Sequence, residues 1–190
     1  RQRQMCIRDR AEKMRPTRLE LLVGQEHLLA PDAPLGRMLR ERRASSMILW
    51  GPPGSGKTTL AKIVAEYVNM NFVSLSAVFS GVSDLRRVFD KAIERKKIGE
   101  ETLLFVDEIH RFNRAQQDSF LPFVEDGTVV LVGATTENPS FELNSALLSR
   151  CKVFILEKIA RAGLEHLVKR AEKLEGKELP LKQEARDALL

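Results

Sequence analysis

The sequence predicts an α/β protein: a five-stranded parallel sheet flanked by helices, followed by the start of a helical lid domain. Five short apolar runs that are typical of buried strands alternate with helical segments along the chain. Near-continuous apolar strands indicate a parallel sheet that helices cover on both faces. Polar motifs follow the first and third runs, and ligands of such sheets bind beyond the carboxyl ends of the strands.

The predicted elements alternate in order along the chain. The strands are residues 47–50, 71–76, 102–107, 128–134 and 152–156, and the helices between them cover residues 60–68, a segment that begins near 83, residues 114–124 and residues 143–149. Ser83 and Asp84 are candidate caps of the second helix, because short polar side chains accept hydrogen bonds from the free amides at a helix start. Pro122 is expected to kink or end the third helix, because proline lacks a backbone donor.

Three parts of the chain differ in character. Residues 1–14 begin with RQRQMCIRDR, which resembles translated adapter sequence, and we interpret them as a non-native or disordered tail. Residues 15–157 contain the predicted sheet and form the core domain. Residues 158–190 begin a helical lid, whose apolar stripe consists of Leu164, Leu167, Val168 and Ala171.

The lid pattern contains two helices. Gly176 can end the first helix, and the second begins near Lys182. The helical pattern stops at Leu190 in the middle of the second helix. We therefore expect a truncated lid domain.

Composition excludes several classes of protein. No apolar run approaches the roughly 20 residues that span a bilayer, so no membrane association is expected. The net charge of +5 includes +3 from the first ten residues, so the overall charge does not indicate nucleic-acid binding. Cys6 and Cys151 lie far apart in the sequence and are interpreted as reduced thiols of a cytoplasmic protein.

A glycine-rich loop joins the first strand to the helix after it. Its sequence, GPPGSGKT, fits the phosphate-binding pattern G-x-x-x-x-G-K-[ST] in full. Glycines let backbone amides approach an anion, and the helix start adds the positive end of its dipole. Lys57 is expected to contact the β- and γ-phosphates of ATP, and Thr58 to bind Mg²⁺ through its hydroxyl. The predicted ATP-binding residues of this loop are Gly51, Pro52, Pro53, Gly54, Ser55, Gly56, Lys57, Thr58 and Thr59.

Two adjacent carboxylates follow the third strand. Asp107 is expected to hold Mg²⁺, and Glu108 to position and deprotonate the attacking water. Capping of the next helix is an equally good interpretation of the pair alone, but the phosphate-binding loop in the same chain favours catalysis. The spacing also predicts that the third strand lies next to the first. His110 is interpreted as a solvated or locally hydrogen-bonded side chain rather than a catalytic one.

Two further candidates lie after the fourth strand. In GATTEN, residues 133–138, Thr136 is the preferred sensor of the γ-phosphate and Thr135 is an open alternative, although threonines at a strand end are commonly only β-formers. Arg150 follows a helix that is expected at the edge of the domain. Most such arginines are surface residues, but phosphoryl transfer gains from an arginine that a neighbouring subunit supplies.

In order and spacing, these motifs resemble the AAA+ P-loop ATPases of the clamp-loader group. More specifically, the chain resembles the RarA/MgsA family, which includes the eukaryotic Werner-helicase-interacting protein, in the segments SMILWGPPGSGKTTLA, LSAVFSGVSDLR, FVDEIHRFNRAQQD and GATTENPSFELNSALLSRC. Residues 15–35 resemble the N-terminal segment of that family, in which Val23 and Gln25 would lie near adenine. The resemblance assigns Thr136 as sensor 1 and Arg150 as a finger that acts in trans.

The resemblance implies a DNA-dependent ATPase that acts at stalled or damaged replication forks, in replication-associated recombination and repair. It implies ATP and Mg²⁺ as cofactors. The implied partners are gapped, forked or single-stranded DNA ends, single-strand-binding protein and further copies of the chain. The sensor 2 arginine and the tetramer-forming region of the family are expected to be missing here. The expected location is the bacterial cytoplasm, in association with the nucleoid.

Other functions stay open at this point. A clamp-loader subunit or a RuvB-like branch-migration ATPase would use the same pocket. A nucleotide-switched recruitment module would need little turnover. An enzyme is favoured by the presence of Lys57, Asp107, Glu108 and Arg150, because a scaffold does not need a catalytic base.

A basic helix is the candidate DNA surface. Residues 80–87, SGVSDLRR, are predicted to line the DNA path, with Arg86 and Arg87 as the contacts. Solvated basic faces of helices are common, so the charge run alone does not establish this role.

Overall fold

The structure, a computed structural model, describes residues 15–16, 18–176 and 178. Its strands are β1 (Met47–Trp50), β2 (Asn71–Ser76), β3 (Thr102–Asp107), β4 (Val130–Thr135) and β5 (Lys152–Ile155). Its α-helices are α1 (Glu26–Leu29), α2 (Pro34–Arg40), α3 (Lys57–Tyr67), α4 (Val82–Lys97), α5 (Arg114–Asp118), α6 (Leu121–Glu125), α7 (Pro139–Glu142), α8 (Ser145–Leu148) and α9 (Arg161–Glu175). Short 3₁₀ segments cover Leu19–Leu21 and Ile109–Arg111. The predicted tail over residues 1–14, Cys6 within it, and the predicted helix near Lys182 lie outside the described residues.

The five strands form one parallel sheet in the order β2-β3-β4-β1-β5. The predicted five-stranded parallel sheet is therefore confirmed. The prediction that the third strand lies next to the first is wrong, because β4 lies between them. Val132 of β4 is in register with Met47 of β1 on one side and with Phe105 of β3 on the other. The apolar run of β4 suits this central place, where both faces of the strand are buried.

Helices cover both faces of the sheet, because successive strand side chains point to opposite faces. Phe105 of β3 belongs to the core that α3 completes with Leu60. Its neighbour in sequence, Leu104, belongs to the core on the opposite face, which α4 completes with Phe89. This two-sided burial leaves the carboxyl ends of the strands as the edge where polar side chains meet.

The start of α4 differs from the prediction. The helix begins at Val82, so Ser83 is not its cap. Asp84, at the third helical position, does help to cap the helix, because it accepts a hydrogen bond from the amide of Gly81 at 2.9 Å in a capping box. This backbone hydrogen bond is the largest contribution to a lowered pKa of the Asp84 carboxyl.

The predicted helix over residues 114–124 is two short helices, α5 and α6. The side chain of Asn113 starts α5 by accepting a hydrogen bond from the amide of Gln116 at 2.9 Å. Pro122 lies in the first turn of α6, where a proline loses no helical hydrogen bond. The predicted helix is therefore interrupted just before Pro122, as expected, and Pro122 itself helps to begin the second helix.

The predicted helix over residues 143–149 is shorter than expected. It is α8, and Asn144 caps it by accepting a hydrogen bond from the amide of Leu147 at 2.7 Å. A further short helix, α7, precedes it, and Asn138 caps that helix in the same way. The connection between β4 and β5 thus contains two separate short helices, each of which is capped by an asparagine.

The first helix of the predicted lid is α9. Val168 and Ala171 of its predicted stripe are buried, and Gly176 ends the helix with a φ of 67°. That left-handed backbone conformation favours glycine at the end of a helix. Among the described residues, no helix is long and apolar enough to cross a membrane.

Phe120 provides a test of the core on the α4 side of the sheet. Its ring is fully buried and lies 5.6 Å from the ring of Phe89 and 5.8 Å from that of Phe112. We expect Phe120→Ala to lower the free energy of unfolding by about 3–5 kcal/mol, through lost burial and a cavity. Urea unfolding measures the loss. The matched control is Phe141→Ala, which removes a ring that is 84% exposed and should change stability by less than about 0.5 kcal/mol.

Candidate functional site

Three glycines shape the loop between β1 and α3. A side chain on Gly51 would bring its Cβ within 2.4 Å of the carbonyl oxygen of Leu156, so only glycine fits there. Gly54 and Gly56 have φ angles of 76° and 96°, in the left-handed region that favours glycine. The loop turns sharply as a result, and α3 begins at Lys57. The first amides of a helix are free to bind an anion at such a turn.

The side chain of Lys57 folds back over this loop. Its ammonium donates hydrogen bonds to the carbonyl oxygens of Gly51 at 2.7 Å and Pro52 at 2.9 Å. Burial lowers the pKa of the Lys57 ammonium, while the carboxylates of Glu108 and Asp107 act in the opposite direction. A cation therefore lies within the loop and faces two carboxylates.

Most of the predicted site residues converge on one cleft of about 340 Å³. The cleft is lined by Arg15, Pro53, Gly54, Gly56, Lys57, Thr58, Thr59, Asp107, Glu108 and Thr136. These residues come from the loop, α3, the ends of β3 and β4, and the N-terminal segment. Arg15 was not predicted, because a single arginine in an irregular segment carries no recognisable pattern.

The carboxylates enter the cleft where β3 ends. Asp107 is the last residue of β3, in register with Ser76 of β2, and its carbonyl accepts from the amide of Ala77 at 2.9 Å. Glu108 has φ 52° and ψ 44°, a left-handed conformation that is uncommon outside glycine. The chain therefore turns abruptly at Glu108, which is a feature that concentrates at functional sites.

The two threonines at the end of β4 have different surroundings. Thr136 lines the cleft, whereas Thr135 is fully buried. The hydroxyl of Thr135 lies 3.0 Å from Nδ1 of His110 and accepts from the amide of Glu137 at 3.0 Å. This arrangement favours Thr136 over Thr135 as the candidate sensor. His110 is only 7% exposed, so the local hydrogen-bonding interpretation of that residue holds and the solvated one is wrong.

Gln25 joins three segments behind the loop. Its side-chain amide donates to the carbonyls of Ser55 at 3.2 Å and Glu157 at 2.8 Å, and its oxygen accepts from the amide of Glu157 at 3.1 Å. Gln25 is fully buried, so its side chain holds the phosphate-binding loop against the segment that follows β5. Val23 lies beside the lid helix, because a Cβ on Gly163 would meet Val23 Cγ1 at 2.7 Å. Contact of Val23 and Gln25 with adenine stays a prediction.

Arg150 does not line the cleft. It follows α8, and its guanidinium lies 2.5 Å from a carboxylate oxygen of Glu125 and donates to the carbonyl of Ala146 at 2.7 Å. The Arg150 side chain is 38% exposed. Arg150 therefore lies partly exposed outside its own cleft. Glu125 was not predicted as its partner, since the two residues belong to different short helical segments.

Comparison with known proteins agrees with this site. The model of the ATPase family associated with various cellular activities (AAA) matches residues 47–158. Replication-associated recombination protein A of Escherichia coli K12 is 52% identical over 161 residues, which are 85% of this chain and 36% of the relative. ATPase WRNIP1 of Dictyostelium discoideum is 55% identical over 160 residues, which are 84% of this chain and 18% of that protein.

Two solved structures of similar fold are structures of RuvB. A mutant of Thermotoga maritima RuvB superposes with a TM-score of 0.69 at 31% identity, covering 86% of this chain and 56% of RuvB. The Thermotoga maritima RuvB Holliday junction branch migration motor superposes with a TM-score of 0.67 at 31% identity, covering 86% of this chain and 55% of that one. Both RuvB sequences are less similar to this chain than the Escherichia coli replication-associated recombination protein A is, at 31% against 52% identity.

The curated relatives are longer than this chain, which spans 36% of the length of the Escherichia coli protein. The family model covers more than half of the chain and includes the loop, both carboxylates, Thr136 and Arg150. The chain therefore belongs to the AAA family of ATPases, and its predicted resemblance to the replication-associated recombination protein A group is confirmed.

Proposed function

We propose that this chain is the ATP-hydrolysing part of a DNA-dependent ATPase that acts at stalled or damaged replication forks. The observation that carries the proposal is the convergence of Lys57, Asp107 and Glu108 on one cleft beside the phosphate-binding loop. The likeness to replication-associated recombination protein A supports the fork-related role. In this proposal residues 15–157 are the ATPase core and residues 158–190 the start of the lid.

Each residue of the cleft has a role that its position supports. The loop amides and Lys57 bind the phosphates, with the ammonium exchanging its two carbonyl partners for phosphate oxygens. Glu108 orients a water molecule and accepts its proton. Thr136, at the end of the central strand β4, contacts the γ-phosphate, and Arg150 acts on the cleft of a neighbouring chain.

The donor set of the cleft suits Mg²⁺. Thr58 and Asp107 both line the cleft and offer a hydroxyl and a carboxylate, and Mg²⁺ prefers such hard oxygen ligands beside phosphate groups. When bound, Mg²⁺ neutralises charge on the phosphates during transfer. Asp107 and Thr58 are fixed by β3 and α3, two regular elements, so the pair is held without a loop rearrangement.

Hydrolysis of ATP with and without gapped DNA tests the proposal. We expect stimulation by gapped or forked DNA and little by intact duplex. A chain that binds ATP but hydrolyses it at the same slow rate with every DNA would instead be a nucleotide-switched recruitment module. The likeness to replication-associated recombination protein A also supports four further predictions. They are binding of single-strand-binding protein, assembly into a tetramer, a cytoplasmic location and association with the nucleoid.

The start of α4 is the proposed DNA surface. Arg86 and Arg87 are exposed there, and Phe79, just before the helix, is 88% exposed. An exposed aromatic ring beside basic side chains suits the bases and phosphates of unpaired DNA. Asp84 contacts Arg87, so Arg86 carries the less neutralised charge of the two.

Replacing both Arg86 and Arg87 by alanine is expected to weaken DNA binding and its salt dependence. Two lost phosphate contacts should lower the slope of log affinity against log salt by roughly 1.4, since each contact to a single strand contributes about 0.7. Fluorescence anisotropy of a labelled single strand at several salt concentrations measures this slope. The charge-matched control is Lys91→Ala with Lys97→Ala, later on the same helix. Equal effects of the two double variants would mean that α4 attracts DNA only by its total charge.

A RuvB-like branch-migration ATPase is the second candidate function. The structural similarity to the RuvB motor supports this second function, because the two chains share a fold. The two candidates differ in substrate, since a branch-migration motor moves four-way junctions. Movement of a synthetic four-way junction without any preference for gapped or forked DNA would favour the RuvB-like function.

A further inference from the structure

The side chain of His110 lies between two functional segments of the cleft. It is only 7% exposed, and its Nδ1 lies 3.0 Å from the hydroxyl oxygen of Thr135 and 3.3 Å from Oε2 of Glu108. Thr135 ends β4 and Glu108 follows β3, so one imidazole ring joins the ends of two neighbouring strands. A buried ring in contact with the candidate base is in a position to orient it.

The hydrogen bonds around Thr135 assign the ring proton of His110 to Nδ1. The Thr135 hydroxyl accepts from the amide of Glu137 at 3.0 Å and donates to the carbonyl of the same residue at 3.2 Å. It keeps a lone pair for His110, and the Glu108 carboxylate can only accept. A hydrogen on Nδ1 is therefore donated to Thr135 at 3.0 Å and turns the positive edge of the ring toward the Glu108 carboxylate, whose Oε2 lies 3.3 Å away. An Nδ1 without hydrogen would instead turn its lone pair toward the Glu108 carboxylate, and the two would repel each other.

We propose that His110 is a positioning residue for Glu108. Thr135 fixes the orientation of the ring, so that the Nδ1–H edge of the ring faces one carboxylate oxygen of Glu108 at 3.3 Å and attracts it. The second oxygen of Glu108 then keeps a constant direction relative to the cleft, which Glu108 lines. This inference rests on the proposed ATPase function, in which Glu108 activates water.

The backbone explains why Glu108 needs this restraint. Glu108 lies at an abrupt turn, outside regular structure, and its side chain is 31% exposed. Asp107, by contrast, is held within the hydrogen-bonded register of β3. A long, partly exposed side chain on a turn has several rotamers, and a catalytic group that is misplaced by about 1 Å can lose about 100-fold in rate.

Two substitutions of His110 separate orientation from packing. His110→Asn keeps an N–H close to the position of Nδ1, whereas His110→Leu keeps the bulk and removes the donor. We expect His110→Leu to lower kcat for ATP hydrolysis about tenfold, with less than about threefold change in KM. His110→Asn should restore kcat to within about threefold of the unsubstituted protein. Equal losses of kcat in both variants, or none in His110→Leu, would overturn the proposal.

The position of the ring proton gives a test that needs no ATP hydrolysis. Long-range ¹H–¹⁵N spectra show which ring nitrogen carries hydrogen, and the signal of His110 is the one missing from His110→Asn. We expect hydrogen on Nδ1 in the folded protein. We also expect the Nδ1 resonance to move in Glu108→Gln, which removes the charge beside the ring, and in Thr135→Val, which removes the hydroxyl acceptor. Hydrogen on Nε2 alone would overturn the proposal.

The proposed function and the positioning role can fail separately. If Glu108→Gln hydrolyses ATP at the normal rate, Glu108 is not the base and that part of the proposed function fails. If Glu108→Gln is inactive while His110→Leu is fully active, the ATPase assignment stands and only the role of His110 fails.

Discussion

Glu108→Gln is expected to lower the rate of ATP hydrolysis by about 100-fold or more while ATP affinity stays within about threefold. Glutamine keeps the size and shape of the side chain but cannot accept a proton from water. The phosphate-binding loop, Lys57 and Asp107 stay in place, so binding is preserved. Single-turnover hydrolysis, with ATP affinity measured by calorimetry, separates the two quantities.

The matched control for this substitution is Glu142→Gln. Glu142 is exposed at the end of α7, away from the residues that line the cleft. The same change of charge there should leave hydrolysis unaltered. Normal hydrolysis by Glu108→Gln would mean that another group, or water alone, takes the proton.

Arg150→Ala is expected to reduce hydrolysis by roughly 1000-fold in the assembled protein, because a charged finger stabilises the transferring phosphoryl group. ATP affinity of the single chain should stay unchanged, since Arg150 lies outside its own cleft. The contact with Glu125 does not oppose this role. Both partners are partly exposed, 38% for Arg150 and 50% for Glu125, and exposed pairs contribute only about 0–1 kcal/mol.

Mixing two inactive variants tests whether Arg150 acts in trans. A chain with Arg150→Ala retains Glu108, and a chain with Glu108→Gln retains Arg150. A mixed assembly therefore contains some complete sites, and activity should reappear at concentrations where sedimentation shows association. Lys152→Ala, an exposed cation two residues away, is the control and should remain active by itself. No recovery in mixed assemblies would assign Arg150 a role within its own chain.

The strands were predictable because a buried strand consists mainly of consecutive apolar residues, which the sequence shows directly. TLLFVD is apolar at every position that the two cores cover, and β3 has the predicted bounds. The order of the strands within the sheet has no comparable pattern in the sequence. The place of β4 between β1 and β3 depends on which strands pair, and each of the three is apolar enough to be central.

The short helices were mispredicted because they contain too few turns for an apolar period. α5 to α8 have four or five residues each. Three of the four starts are nevertheless marked, since Asn113, Asn138 and Asn144 each accept a hydrogen bond from an amide of the helix that follows. Attention to these caps would have placed the starts of α5, α7 and α8, whereas α6 begins without a side-chain cap.

The candidate site was predictable where it consists of local motifs. GPPGSGKT and the Asp107–Glu108 pair combine adjacent residues, and they line one cleft. The supporting contacts join distant parts of the chain. Gln25 and Glu157 are separated by 132 positions, and His110 and Thr135 by 25. Composition and periodicity within short windows carry no information on such contacts.

The Gln25 connection has a practical consequence for studies of this protein in concentrated salt. The side-chain amide is neutral and fully buried, and its three partners are backbone groups of Ser55 and Glu157. Ions weaken charged contacts at the surface but have little effect on neutral buried hydrogen bonds. A salt titration should therefore release DNA from Arg86 and Arg87 while the nucleotide pocket keeps its shape.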